Sequence, residues 1–300
     1  MGQNYFEMDL QKVMGLAYWG AIDYLGESQG WPAKGWAQGV FYIDLSTKPN
    51  AYLARSIFSD EPTVHLCFQE QSRDIEWNGV RQQIRRLTDH WTRTPGEEVN
   101  LTVYTNADEV ELVVNGKSLG TKQNDRQNPE VRNQVRWGKL TYEPGYIEAI
   151  ARTGGKVVAR HRVETAGEAV ALRLTPDNVA WHSDGIDLQH VVVEAVDKKG
   201  RVVPGATAEV RFEVKSEGVK GEGVEGEGVG AGVARLVAVS SGDHYSDELV
   251  CTDRRRLFDG RCMAILRAGR QKETVTLTAT AEGMRPARLK LRTLTPEDTP

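Results

Sequence analysis

Asp23 and Glu27 stand four residues apart in a stretch crowded with aromatic rings, among them Tyr18, Trp19, Tyr24, Trp31 and Trp36. Paired carboxyl groups divide nucleophile and acid/base roles when they lie roughly 5–5.5 Å apart. An indole adds a large apolar platform with one N–H donor, suited to the C–H face of a sugar ring. The two acids fall in a strand-to-loop stretch, however, where a spacing of four does not place side chains on one face as it does on a helix. The expectation is that Asp23 bonds nearby backbone or a neighbouring side chain, that Glu27 sits in a rim loop, and that neither is catalytic. The six histidines show no HxH or HExxH spacing, and the three cysteines, Cys67, Cys251 and Cys262, are widely separated. Neither pattern makes a metal-ligand set, so no metal and no cofactor is expected, and the cysteines read as buried free thiols.

The elements that must position these residues change character near residue 60. Before it, residues 13–19 form a short apolar run compatible with a buried parallel strand. A Gly- and Trp-rich loop covers 26–39, and Pro49 precedes apolar residues 53, 54, 57 and 58 at helical spacing, with proline at a helix start where its missing N–H costs nothing. The order is strand, long loop, helix. Trp19 falls at the end of that strand.

After residue 60, short alternating runs recur between turn signals, the pattern of all-β sandwiches. Residues 98–104 alternate polar and apolar. Residues 110–114 run into Asn115-Gly116, whose type I′ turn needs positive φ at both positions. Residues 146–151 turn through Gly154-Gly155 into 156–160. Further strands are predicted over 169–174, 188–196, 208–214, 234–239, 262–266 and 273–281, a count one short of a seven-stranded sandwich, with Asp197-Lys198-Lys199-Gly200 as a polar turn. The wide spacing of Trp77, Trp91, Trp137 and Tyr142 suits core filling between two sheets rather than an exposed glycan-binding face. Residues 217–232 nearly repeat Gly-Glu-Gly-Val, which cannot bury a core and reads as a hairpin tip or expanded loop.

The 300 residues suit two or three compact units, and 39% hydrophobic with 27% charged content fits a globular chain. A net charge of -4 with both signs interspersed argues against a nucleic-acid partner. The short basic run Arg254-Arg255-Arg256, followed by Asp259, reads as a solvated turn or strand edge. No apolar run approaches the roughly 20 residues of a membrane span.

Three stretches in order resemble the C-terminal part of glycoside hydrolase family 2, of the β-galactosidase type. The first is Leu16-Ala17-Tyr18-Trp19-Gly20-Ala21-Ile22-Asp23-Tyr24-Leu25-Gly26-Glu27, then Gly30-Trp31-Pro32 and Lys48-Pro49. The second runs from Asn106-Ala107-Asp108 through Asn115-Gly116 to Leu119-Gly120, with Tyr142-Glu143-Pro144-Gly145 downstream. The third is Asp184-Gly185-Ile186-Asp187-Leu188, with Val203-Pro204, Ser241-Gly242-Asp243 and Phe258-Asp259-Gly260-Arg261. Where the family reads Asn-Gly-Asp, this chain has Ser241-Gly242-Asp243.

The resemblance implies a mainly β fold. Residues 1–60 would be the last strand, loop and helix of a (β/α)8 barrel. Residues 61–166 and 167–300 would be two immunoglobulin-like sandwiches. Catalytic residues of such barrels sit at the ends of several strands, and the family's two glutamates belong to earlier strands than the one present here. The resemblance further implies that Trp19 lines the subsite for the galactosyl group, with Trp31 and Trp36 flanking the aglycone side. The implied function is therefore the C-terminal portion of a retaining glycosidase acting on terminal β-glycosides, inactive by itself. The partner is a carbohydrate substrate met through the missing barrel; a homo-oligomer is compatible with it, and the compartment implied is periplasmic or exported. The alternative is a non-catalytic sandwich protein that binds a glycan or another protein.

Overall fold

The computed structural model describes residues 5–9, 11–27, 34–70, 73–77, 80–84, 86–177, 180–217 and 233–295, with 73–84 given as backbone only. The chain divides into two compact units, Met1–Thr165 and Ala166–Pro300.

In the first unit a two-stranded ribbon, β1 (Tyr24–Leu25) with β2 (Gly35–Trp36), precedes one nine-residue helix, α1 (Asn50–Phe58), capped at its start by Pro49. The predicted helix is present, one residue longer at its N-terminus. The predicted strand over residues 13–19 is not. These residues carry no regular structure, and Val13, Met14, Leu16, Tyr18 and Trp19 are all exposed. A strand needs a neighbour for its N–H and C=O groups, and the described chain offers none beside this run. The long loop expected over 26–39 instead begins and ends in the β1–β2 ribbon.

Two antiparallel sheets follow. One orders β10 (Gln134–Thr141), β7 (Glu98–Thr105), β3 (Val64–Gln69) and β6 (Leu87–Thr88); the other orders β12 (Lys156–Glu164), β11 (Tyr146–Thr153), β8 (Glu109–Val114) and β9 (Lys117–Gln123). A separate hairpin joins β4 (Arg73–Trp77) to β5 (Val80–Ile84). Alternation decides what faces inward: Val99, Leu101 and Val103 of β7 meet Val110 and Leu112 of β8 in one core with Trp91 and Tyr142. Asn115 (φ +49°) and Gly116 (φ +83°) make the predicted turn between β8 and β9. The Asn115 amide also closes on a second turn: Nδ2 donates to the Pro144 carbonyl at 3.1 Å and Oδ1 accepts the Tyr146 N–H at 2.8 Å. A Cβ on Gly145 would lie 1.9 Å from Asn115 Oδ1, so the two distant motifs form one corner that only glycine permits.

Helix α1 docks on this sandwich by polar groups, not by the apolar spacing read from its sequence. Ser56 is its buried residue, while Phe58 is exposed and Leu53, Ala54 and Ile57 are half-buried. Asn133, held at φ +65°, donates from Nδ2 to the Ser56 carbonyl at 2.8 Å, and its own N–H donates to Asn124 Oδ1 at 2.8 Å. Asn106 Nδ2 donates to the carbonyls of Ser59 and Glu61, and its Oδ1 accepts the Thr63 N–H. Tyr52 stacks on His65 at 3.5 Å between centroids, and His65 stacks on His161 at 4.2 Å.

In the second unit one sheet orders β13 (Ala171–Pro176), β14 (Leu188–Val196), β18 (Arg261–Arg267) and β16 (Arg235–Ser240). The other orders β17 (Arg254–Arg256), β15 (Glu209–Glu217), β19 (Thr274–Thr280) and β20 (Ala287–Arg292). Val191, Val193 and Leu266 face Phe212, Val275 and Leu277 across the core. The six predicted strands are present, β20 was not anticipated, and the basic run read as a solvated turn or strand edge is the edge strand β17. β17 is the basic run: Arg255 is buried and donates from Nε and Nη2 to Ser241 Oγ at 3.1 and 3.0 Å, so the serine that departs from the family pattern carries a structural contact. Cys67 and Cys262 are buried free thiols as expected, but Cys251 is exposed, because it lies outside the strands near an edge rather than opposite Cys262. The Gly-Glu repeat lies outside the described residues except for Glu217.

The histidine stack makes the first unit pH-sensitive. His161 Nδ1 accepts the Leu66 N–H at 2.9 Å, and burial, with His65 beside it, holds its pKa down to about 4 against the ordinary 6.5. The unfolded chain therefore takes up the proton first. Stability is full above pH 6.5 and falls as pH drops toward 4. Unfolding free energies from urea titrations at pH 7.5 and 4.5 should differ by about 2–3 kcal/mol from this group, and His161→Gln should remove that part of the difference.

Candidate functional site

The site is built from the segment before the sandwich. Ala21, Ile22 and Asp23 run beside Gly39, Val40 and Phe41: the Ala21 carbonyl accepts from Val40 N and Phe41 N at 2.8 and 3.0 Å, and Asp23 N donates to the Phe41 carbonyl at 3.0 Å. The approach needs glycine at 39, where a Cβ would lie 2.6 Å from Asp23 N. Asp23 is then buried against Lys48. Its Oδ1 accepts Lys48 Nζ at 2.6 Å and the Gly39 N–H at 2.9 Å. Lys48 Nζ also donates to the Ala37 carbonyl at 3.2 Å and sits 4.8 Å from the Tyr42 ring centroid. Burial lowers the Lys48 pKa, and the hydrogen bond and charge of Asp23 oppose it. Asp23 Oδ2 is buried with no hydrogen-bond partner among the described residues.

Above this clasp lies an exposed polar chain. Trp19, 78% exposed, donates its indole N–H to Tyr24 Oη at 3.3 Å, and Tyr24 donates its hydroxyl to Glu27 Oε2 at 2.6 Å. The Glu27 bond raises the Tyr24 pKa. Tyr18 Oη donates to the Gln38 carbonyl at 3.0 Å, and burial, then the charge of Asp23, raises its pKa. Trp36 is half-buried directly opposite Tyr24 in the ribbon. Trp31 lies outside the described residues.

The structure thus brings Trp19, Tyr24, Glu27 and Trp36 into one neighbourhood. Asp23 and Glu27 have different partners, one a buried ammonium and the other a phenol. Sequence reasoning missed Lys48 as the partner of Asp23 and Tyr24 as the link between Trp19 and Glu27; a buried cation 25 positions away leaves no local signal. Trp91 and Tyr142 are fully buried in the sandwich core, with Trp91 Nε1 donating to the Glu143 carbonyl at 3.1 Å, and Trp137 packs partly buried against the same core. The side chain of Trp77 is outside the described residues.

Residues 172–221 and 230–290 match the model of glycoside hydrolase family 2 C-terminal domain 5, and residues 96–159 match a domain of unknown function, DUF4982. The chain is 36% identical over 282 residues to β-galactosidase BoGH2A of Bacteroides ovatus, covering 93% of this chain and 28% of that enzyme. A glycosyl hydrolase family 2 member from Bacteroides cellulosilyticus superposes with TM-score 0.79 at 24% identity, over 92% of this chain and 35% of that one. A β-glycosidase from Bacteroides vulgatus superposes with TM-score 0.73 at 26% identity, over 92% and 30%. The chain belongs to glycoside hydrolase family 2, whose C-terminal region it matches, and it spans about a third or less of the length of these relatives.

The clasp makes a direct prediction. Asp23→Ala leaves the Lys48 ammonium buried and unpaired, a cost of about 3–5 kcal/mol. Limited proteolysis should then cut between residues 34 and 48 much faster. The double variant Asp23→Leu/Lys48→Met, which removes both charges, should recover most of the resistance.

Proposed function

We propose that this chain is the C-terminal portion of a β-galactosidase-like retaining glycosidase acting on terminal β-glycosides. It supplies the barrel rim and two accessory sandwiches, while the two catalytic carboxyl groups come from the part of the enzyme that it does not span. The observation that carries the reading is the occupation of its own candidate acids. Asp23 is neutralised by Lys48 and packed under the rim, and Glu27 is held by Tyr24. These partners support reading both as non-catalytic, since retention requires two facing carboxyl groups. The similarity to BoGH2A across nearly the whole chain supports the same reading.

The role proposed for Trp19 follows from its chemistry. With its N–H directed to Tyr24, the indole presents an apolar face to solvent, suited to stacking on the C–H face of the galactosyl group. Trp36 and Trp31 flank the aglycone side. The apolar residues left exposed around this rim, Val13, Met14, Leu16, Ile22 and Leu25, would pack against the remaining barrel strands. The competing reading, a glycan-binding sandwich, is weakened by the burial of Trp91 and Tyr142, which leaves them no exposed stacking face.

The chain alone is expected to release no nitrophenol from an aryl β-galactoside. Turnover that disappears in Glu27→Gln or Asp23→Asn would contradict the proposal. In the full-length gene product, a nitrophenyl glycoside panel should show β-galactoside turnover, and Trp19→Ala should lower kcat/KM about ten-fold, the size of a lost aromatic contact of ~1.5 kcal/mol.

A further inference from the structure

In the second unit, sheet register sets two like charges against each other. Arg235 of β16 is the direct cross-strand partner of Arg267 of β18. Like charges directly opposite destabilise an antiparallel pair, so such a pair persists at a cost unless something else offsets it. A third arginine joins them. Arg270 follows β18, and its stem lies across Gly185: a Cβ there would fall 2.9 Å from Arg270 Cγ, and Gly185 holds φ +84°. Gly185 thus keeps the space over which Arg270 reaches back toward the strand pair.

The three arginines line a recess of about 210 Å³ with Ile186, Val233 and Ala268, and among the described residues no acidic one lines it. Among the described residues, no hydrogen bond or ion pair is made by any of the three guanidinium groups. Four other arginines of the same unit are matched, Arg173 and Arg261 with Glu194, Arg201 with Asp197, and Arg255 with Ser241 and Glu248, so what sets the recess apart is that three unmatched guanidinium groups share it. The buried Glu273 lies outside the recess lining: its Oε1 accepts from Ala234 N and Gly269 N, and its Oε2 is buried with no hydrogen-bond partner among the described residues.

We propose that this recess is an oxyanion site that takes a sulfate or carboxylate group. Guanidinium groups present planar forks of donors that match such oxygens, and an anion between Arg235 and Arg267 replaces their repulsion with two attractions. The volume exceeds the ~30 Å³ share of a water molecule several-fold, leaving room for part of the molecule that bears the anion. Exposed Ile186 and Val233 at the rim offer apolar contact to that remainder. The site is independent of the rim around Trp19 and of the reading given to it.

The test compares this chain with its Arg267→Gln and Arg270→Gln variants, titrated with sodium sulfate against sodium chloride at matched ionic strength and followed by thermal unfolding and by amide chemical shifts. Without sulfate, Arg267→Gln should unfold at the same temperature as the parent or higher, because a repulsion is gone. Sulfate should bind the parent at least ten-fold more tightly than either variant, with shifts at Gly185, Val233 and Ala268. Dextran sulfate, polygalacturonate and a neutral galactan identify the source. Arginine-dependent retention on the charged polymers shows a glycan-borne anion, and a response to free sulfate alone shows a free one; either sustains the site. Equal responses of the parent and both variants to sulfate overturn it, as does an Arg267→Gln chain that is destabilised in sulfate-free buffer.

Discussion

One carboxylate oxygen organises everything that precedes the first sandwich. Asp23 Oδ1 accepts from both Lys48 Nζ and Gly39 N, and so ties the start, middle and end of an irregular stretch to one point. A buried ion pair is weak evidence for net stability, because desolvation of both ions opposes their attraction. Its effect here is to specify geometry. With the aspartate buried, Tyr24 and Trp19 can lie only above it, and the backbone of residues 21–23 must run against 39–41, which only a glycine at 39 allows.

The second constraint is how this lobe meets the sandwich. Apolar packing does little of it. The helix is held by Asn106, Asn124 and Asn133, each satisfying backbone groups that would otherwise be buried without partners, and by the ring stack from Tyr52 through His65 to His161. This leaves the residues at apolar spacing on the helix half-buried or exposed, as it leaves the run before Asp23.

The sandwiches were legible in the sequence because their signals are local. Alternation in 98–104 and 188–196, and the Asn115-Gly116 turn, depend on neighbours within a few residues. The basic run is the strand edge it could be read as, but three successive arginines gave no local sign that the central one is buried on Ser241. The run 13–19 failed for the opposite reason. Its apolar content is right for a buried strand, but strand formation is a property of a sheet, and among the described residues no sheet partner lies beside it. The aromatic identity of the rim was visible from residue types, whereas the Asp23–Lys48 and Trp19–Tyr24–Glu27 connections are tertiary and leave no periodic trace. The corner formed by Asn115 and Gly145 shows how two motifs 30 positions apart, each legible alone, acquire a single physical reason only when folded.

The central claim is that the clasp is ordered while the apolar run before it has no strand partner among the described residues. Hydrogen exchange resolved by peptide is the direct measurement, since protection reports the free energy of local opening. The amides of residues 11–19 should exchange within seconds, whereas those of Gly39, Val40 and Lys48, bonded within the clasp, should be protected far longer. Protection of residues 13–19 comparable to that of β7 in the sandwich core would show a self-sufficient packed strand and contradict the account.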